Sequence, residues 1–168
     1  MQISIYDQTV VSFSRALTAL DHLMTTASSA AEAGKYDVNV LAQARLYPDM
    51  FAFARQVQLT TDFAKGAAAR LAGVDIPKWD DTETTFDELR ARIAKALAFL
   101  ASLTAAQFAD AAARVIELKT PLRTFNFSGY DFVLQWALPN FYFHYTTAYN
   151  LLRHNGVPVG KLEYLGLA

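Results

Sequence analysis

Apolar residues recur every three or four positions along much of this chain, which is the spacing of an amphipathic α-helix. The first such stretch covers residues 5–33, and we expect Gly34 to end it in the usual C-terminal position. A second stretch covers residues 48–72, with Pro48 at its start and Gly73 as its cap. The pattern therefore predicts two long helices in the first half of the chain.

A third helix is predicted over residues 86–103. Thr84 or Thr85, followed by Glu88, resembles a capping box at its start. Three cationic side chains lie on the outer side of this helix, and we expect them to form a face exposed to solvent: Arg90, Arg92 and Lys95.

The last part of the chain combines an extended segment with a long helix. Phe125 and Phe127 alternate with polar residues, which favours a strand or a small hairpin. The fourth helix covers residues 129–155, with a kink expected at Pro139 and a stop at Gly156.

These elements predict a single domain over residues 1–168. The fold class is all-α: an up-down four-helix bundle with a short extended or hairpin segment before the last helix. We expect the apolar residues of the tail to pack back on this bundle.

Composition narrows the classes of function. The chain has a formal net charge of −1 and no run of Lys or Arg, so the electrostatic footprint of a nucleic-acid-binding protein is missing. It has no cysteine, which excludes disulfides, thiolate metal sites and a cysteine nucleophile. No stretch approaches about 18 uncharged apolar residues, and the N-terminus lacks the pattern of a secretory signal. We therefore expect no nucleic acid and no membrane as partners, and a cytoplasmic location.

Polar residues near the predicted core faces are the candidates for a site. His144 and Asn140 share a face of the fourth helix, and Gln58 and Asp62 flank the apolar stripe of the second. We predict that these four side chains line a pocket inside the bundle. A buried imidazole needs a partner, so His144 is either a hydrogen-bonded core residue or a metal ligand. His154 is expected at the helix end instead.

The helix order, the segment FARQVQLTTDFAKGAAARLAG and the ending LLRHNGVP together resemble a known group. It is the DinB-like (YfiT-like) superfamily of metalloenzymes, in a bacterial branch known only as a domain of unknown function. Members commonly close with a Leu-Arg pair and then a glycine. Here Leu152 and Arg153 precede Gly156, and His144 stands at the register of the family's final metal histidine.

The resemblance implies a three-histidine metal site, and this chain departs from it. Asn140 stands where the first histidine of a His-x-x-x-His pair is expected, and Gln58 is the counterpart of the histidine on the second helix, with Asp62 nearby. Neutral amides are weak ligands for zinc or nickel. We therefore expect no cofactor, and take a divalent metal, Zn or Ni, held by His144 in an incomplete site, as the alternative. The resemblance also implies a homodimer.

The expected function is that of a DinB-like bundle protein of uncharacterised activity. It binds a small molecule or a partner through a pocket near His144, without an intact three-histidine metal site. The alternative is a metal-dependent hydrolase or thiol-dependent transferase that uses His144 as a metal ligand. A purely structural or stress-associated oligomer is the third reading.

Overall fold

The fold is mostly helical and contains one small sheet. The structure, a computed structural model, describes residues 4–120 and 122–168. Within these residues the elements are, in chain order, α1 (Ser12–Gly34), α2 (Phe53–Ala72), α3 (Phe86–Ala101), β1 (Val115–Lys119), β2 (Thr124–Ser128), α4 (Gly129–Phe132), α5 (Leu138–His154) and α6 (Lys161–Leu165). The prediction of a helical domain with a hairpin before the last helix is confirmed in this coarser form: the described residues are mostly helical, and a two-stranded antiparallel sheet lies where the hairpin segment is predicted.

The end of α1 differs from the prediction by one residue. A π-helical turn, Asp7–Val11, leads into the helix. At the C-terminus Lys35, and not Gly34, takes the left-handed conformation, with a φ of 57°. A Cβ on Gly34 would lie 2.8 Å from the ring of Tyr36. Glycine at this position therefore permits a close approach of the tyrosine, while the lysine caps the helix.

The start of α2 lies later than predicted, and its end is confirmed. Residues 48–49 form a turn in which the amide of Met50 donates to the carbonyl oxygen of Tyr47 at 3.0 Å. The helix begins only at Phe53, because this turn interrupts the helical path from Pro48. Gly73 caps the other end with a φ of 72°.

The predicted capping box of α3 is confirmed. The hydroxyl of Thr85 accepts a hydrogen bond from the Glu88 amide at 3.3 Å, and the Glu88 carboxylate accepts one from the Thr85 amide at 3.0 Å. The amides of Thr84 and Thr85 together lower the pKa of Glu88 to about 2, because their hydrogen bonds favour the ionised carboxylate.

A single helical run leads from α4 through a π-helical turn, Val133–Ala137, into α5. The turn directly precedes Pro139, which lacks an N–H and whose ring would clash with the carbonyl one turn earlier. Across the turn, the amide of Leu138 donates to the carbonyl oxygen of Val133. The disturbance predicted at Pro139 therefore takes the form of a π-helical turn before it. α5 ends at His154, which is exposed as expected.

The core lies along α2. This helix packs against α3 on one flank and α5 on the other, and α1 packs against both of these neighbours. In the hairpin, Ile116 opposite Phe127 and Leu118 opposite Phe125 turn apolar side chains toward the helices. The tail folds back as predicted, with α6 against α1. In the described part of the chain, no helix combines the length and the apolar character needed to cross a membrane.

Candidate functional site

His144 is buried where α5 meets α2. Its Nδ1 lies 2.8 Å from Oε1 of Gln56, and its ring stacks on Phe63 with the centroids 5.4 Å apart. The amide nitrogen of Gln56 donates to the carbonyl oxygen of Phe51 at 3.1 Å, and this bond turns Oε1 toward the imidazole. From this network we assign the hydrogen to Nδ1, which donates to Gln56, and the lone pair to Nε2.

The imidazole of His144 is neutral at physiological pH. Burial, and to a smaller extent the positive charge of Arg55, lower its pKa to about 4. A neutral ring fits the contact with the uncharged amide of Gln56, since neither partner brings a charge into the core.

Gln58 points to a different set of partners from those of His144. Its amide nitrogen donates to the Glu83 carboxylate at 3.0 Å, and its Oε1 accepts from Arg55 at 3.2 Å. Side chains two positions apart on an α-helix point in directions that differ by about 200° around the helix axis. Gln56 therefore faces α5 and Gln58 does not. The glutamine of α2 that contacts His144 is thus Gln56, two positions before the Gln58 chosen from the sequence. The signal for Gln56 was only its place beside the apolar stripe.

Asp62 belongs to an ionic network around Arg92, whose side chain is 1% exposed. One η nitrogen of Arg92 donates to Asp62 at 2.9 Å and to Asp81 at 2.8 Å. The other η nitrogen donates to Glu83 at 2.9 Å, and Nε donates to Thr61 at 2.9 Å. The prediction of a solvated Arg92 is therefore wrong, because the loop before α3 folds over it and supplies carboxylates.

The side chain of Asn140 forms a hydrogen bond to the backbone of its own helical run. Its amide nitrogen donates to the carbonyl oxygen of Trp136 at 2.8 Å. This carbonyl lies in the π-helical turn before Pro139, where the regular hydrogen-bond ladder is interrupted. The Asn140 side chain thus satisfies a backbone acceptor beside the interruption.

A cavity of about 230 Å³ lies between α2, the end of β1 and the π-helical turn. Most of its lining is apolar and includes Leu59, Phe63, Ala67, Leu118, Phe132 and Trp136. Of the four predicted pocket residues, Asp62 lines this cavity. Phe63 both lines it and stacks on His144, so one side chain connects the cavity with the imidazole.

The donor set around His144 does not fit a zinc or nickel ion. The bond to Gln56 leaves Nε2 as the one ring nitrogen of His144 that could bind a metal, and the side chains of Gln56 and Asn140 are neutral amides, which are weak ligands for these metals. Across residues 4–120 and 122–168, no three His, Asp or Glu side chains lie close enough together to hold one ion.

Comparison with known proteins finds similarity over nearly the whole chain. The model of the domain of unknown function DUF1993 matches residues 5–165. The crystal structure of a DinB family member protein from Shewanella denitrificans is similar to this chain with a TM-score of 0.89 and 47% sequence identity. That similarity covers 96% of this chain and 91% of the other. No curated protein matches this chain.

Replacing Arg92 by methionine tests the ionic network. The change removes the shared cation of Asp62, Asp81 and Glu83, although Asp62 keeps Lys65 and Asp81 keeps Arg55. We expect the free energy of unfolding to fall by about 1.5–3 kcal/mol, the usual contribution of hydrogen bonds to a charged group. Arg90→Met is the matched control on the same helix, because Arg90 forms a half-exposed pair with Asp21 worth about 0–1 kcal/mol. Urea unfolding at pH 7 measures both. Equal losses in the two variants would contradict the network.

Acid titration of stability tests the state of His144. The unfolded ring takes up a proton below its ordinary pKa of 6.5, whereas the folded ring does so only near pH 4. The contribution of this group is therefore complete above pH 6.5 and declines as the pH falls to 4, by about 3 kcal/mol in total.

The control for this titration is His144→Gln, which keeps a partner for Gln56 and removes the titrating ring. Carboxylates such as Glu88 titrate in both proteins, so the difference between the two stability curves isolates His144. Parallel curves between pH 6.5 and pH 4 would show that the folded ring keeps an ordinary pKa.

Proposed function

This chain belongs to the DUF1993 family and has a DinB-like fold, and from that premise we propose that it is a small-molecule-binding protein. The ligand occupies the cavity beside Phe63. The match at 47% identity confirms the family resemblance first suggested by the ending around Gly156. The observation that carries the proposal is the mostly apolar cavity itself. It reaches the Arg92 network through Asp62, and the ring of Phe63 lies between it and His144.

The size and lining of the cavity suit a small organic ligand. An engineered apolar cavity of about 150 Å³ is enough to hold benzene, and this one measures about 230 Å³. A ring with a short side chain therefore fits. Ligand sites commonly combine apolar walls with a few polar groups that orient the ligand, and here Asp62 and Arg70 are such groups.

The proposal extends to the arrangement of the helices and to assembly. The contacts of α1 with α3 and α5, and of α2 with the same two helices, support an up-down four-helix bundle. Tyr47, Phe51 and Phe143 are exposed aromatic side chains, and aromatic residues are enriched at subunit interfaces. These side chains support the homodimer that the resemblance implies.

A second candidate function is a metal-dependent hydrolase or thiol-dependent transferase with His144 as a ligand. One observation favours it. Gln56 fixes the imidazole with its lone pair on Nε2, and metal-binding histidines usually donate their other nitrogen to a fixed acceptor in this way. The neutral amides of Gln56 and Asn140 are weak metal ligands and therefore favour the first candidate.

Filling the cavity tests the binding function. The protein labelled with 5-fluorotryptophan gives one ¹⁹F signal for Trp136, which lines the cavity, and one for Trp79. Titration with indole, a neutral probe, is expected to shift the Trp136 signal saturably. Ala67→Leu places an isobutyl group in the cavity and should abolish this shift. Ala98→Leu makes the same change at an exposed position of α3 and should leave it intact. If indole leaves the Trp136 signal of the wild-type protein unchanged, the proposal is wrong.

Metal loading separates the two candidate functions. We expect that purified protein incubated with Zn or Ni and then desalted retains much less than one ion per chain, because a single imidazole and neutral amides bind these ions weakly. Elemental analysis measures the retained metal. Stoichiometric metal that is lost in His144→Ala and kept in His154→Ala would favour the metalloenzyme instead.

A further inference from the structure

The charged groups around the cavity beside Phe63 differ in how they are paired. Asp62 already contacts two cations, Arg92 at 2.9 Å and Lys65 at 2.8 Å. Lys119, at the end of β1, is largely exposed and pairs with Glu117 at 2.9 Å. Both charges are thus compensated within the protein, and neither calls for a charged ligand.

Arg70 is the exception. Its Nη1 donates to the carbonyl oxygen of Gly66 at 2.9 Å, one turn earlier in α2. Among the described residues this is its one hydrogen-bond partner, and no carboxylate pairs with it. Of the charged side chains that line the cavity, Asp62 and Lys119 have a partner of opposite charge and Arg70 has none among the described residues. The remaining N–H groups of Arg70 are therefore available to an acceptor in the cavity.

We propose that Arg70 binds the carboxylate of an apolar monocarboxylate whose ring or branched chain fills the cavity against Phe63 and Trp136. This inference rests on the proposed binding function and names the class of ligand. A planar guanidinium can donate two parallel hydrogen bonds to one carboxylate. The apolar walls then exclude water from the body of the ligand.

The surroundings of Arg70 support an anionic ligand. Burial lowers the pKa of Arg70, since the cation is partly removed from water without a nearby anion. Arg70 also lies in the last turn of α2, where the helix dipole favours a cation. The dipole explains a cation at this helix end. The lack of a carboxylate partner for Arg70 among the described residues, at the wall of a ligand-sized cavity, points to an anion from outside the protein.

A single guanidinium favours a monocarboxylate over a phosphate. A phosphate dianion brings more charge and more acceptor oxygens than one arginine can satisfy, and the second cation at the cavity, Lys119, is already paired with Glu117. The carboxylate of Asp62 at the same cavity further disfavours a dianion.

The test compares 3-phenylpropionate with its neutral isostere 3-phenylpropionamide by the ¹⁹F signal of Trp136. We expect wild-type protein to bind the carboxylate about 10- to 100-fold more tightly than the amide. This ratio of dissociation constants corresponds to the usual contribution of hydrogen bonds to a charged group. In Arg70→Met this preference should fall to about 1, while indole still binds because the cavity remains. Arg70→Lys should keep part of the preference.

Arg123→Met is the control for overall charge, because Arg123 is exposed on the hairpin and stacks over Phe125 outside the cavity. It should leave the preference unchanged. Equal binding of the two probes to wild-type protein, or a preference that survives in Arg70→Met, would overturn the role of Arg70. If indole binds in those cases, the binding function stands and only the ligand class is wrong. If none of the three probes binds, both proposals fail.

Discussion

The burial of α2 is the constraint on which the rest of the structure depends. Fifteen of its twenty residues are buried, and several of these are polar or charged. A buried polar group without a partner costs about 1–3 kcal/mol, so each such side chain of α2 needs a defined acceptor or donor. For Gln56, Thr61 and Gln58 these come from α5, from α3 and from the loop between α2 and α3: His144, Arg92 and Glu83. Thr60 and Lys65 find theirs within α2, at the carbonyl oxygen of Gln56 and at Asp62.

Two chemically different networks result. On the α5 side, an uncharged amide meets a neutral imidazole, which keeps charge out of the core. On the α3 side, a guanidinium is surrounded by carboxylates. Phe63 connects the cavity with the first network and Asp62 connects it with the second. A ligand in the cavity would thus contact a helix whose other polar groups are already held in place.

The sequence predicted most of the fold but less of the site, for physical reasons. Helical periodicity, the Thr85 capping box and the alternation near Phe125 located the helices and the hairpin, because each is a local signal. The sequence pattern did not distinguish Gln56 from Gln58, because a helix that is buried on several sides has no single core face. It placed Arg92 in solvent, because the carboxylates that enclose it come from a loop whose path only the tertiary structure determines.

The most direct test of this account is a crystal structure of the protein grown with 3-phenylpropionate. The account predicts the phenyl ring against Phe63 and Trp136, the carboxylate within hydrogen-bond distance of Arg70, and the Nδ1 of His144 still bonded to Gln56. An unfilled cavity, together with a metal ion or ligand bound to Nε2 of His144, would contradict it and place the functional centre at the imidazole.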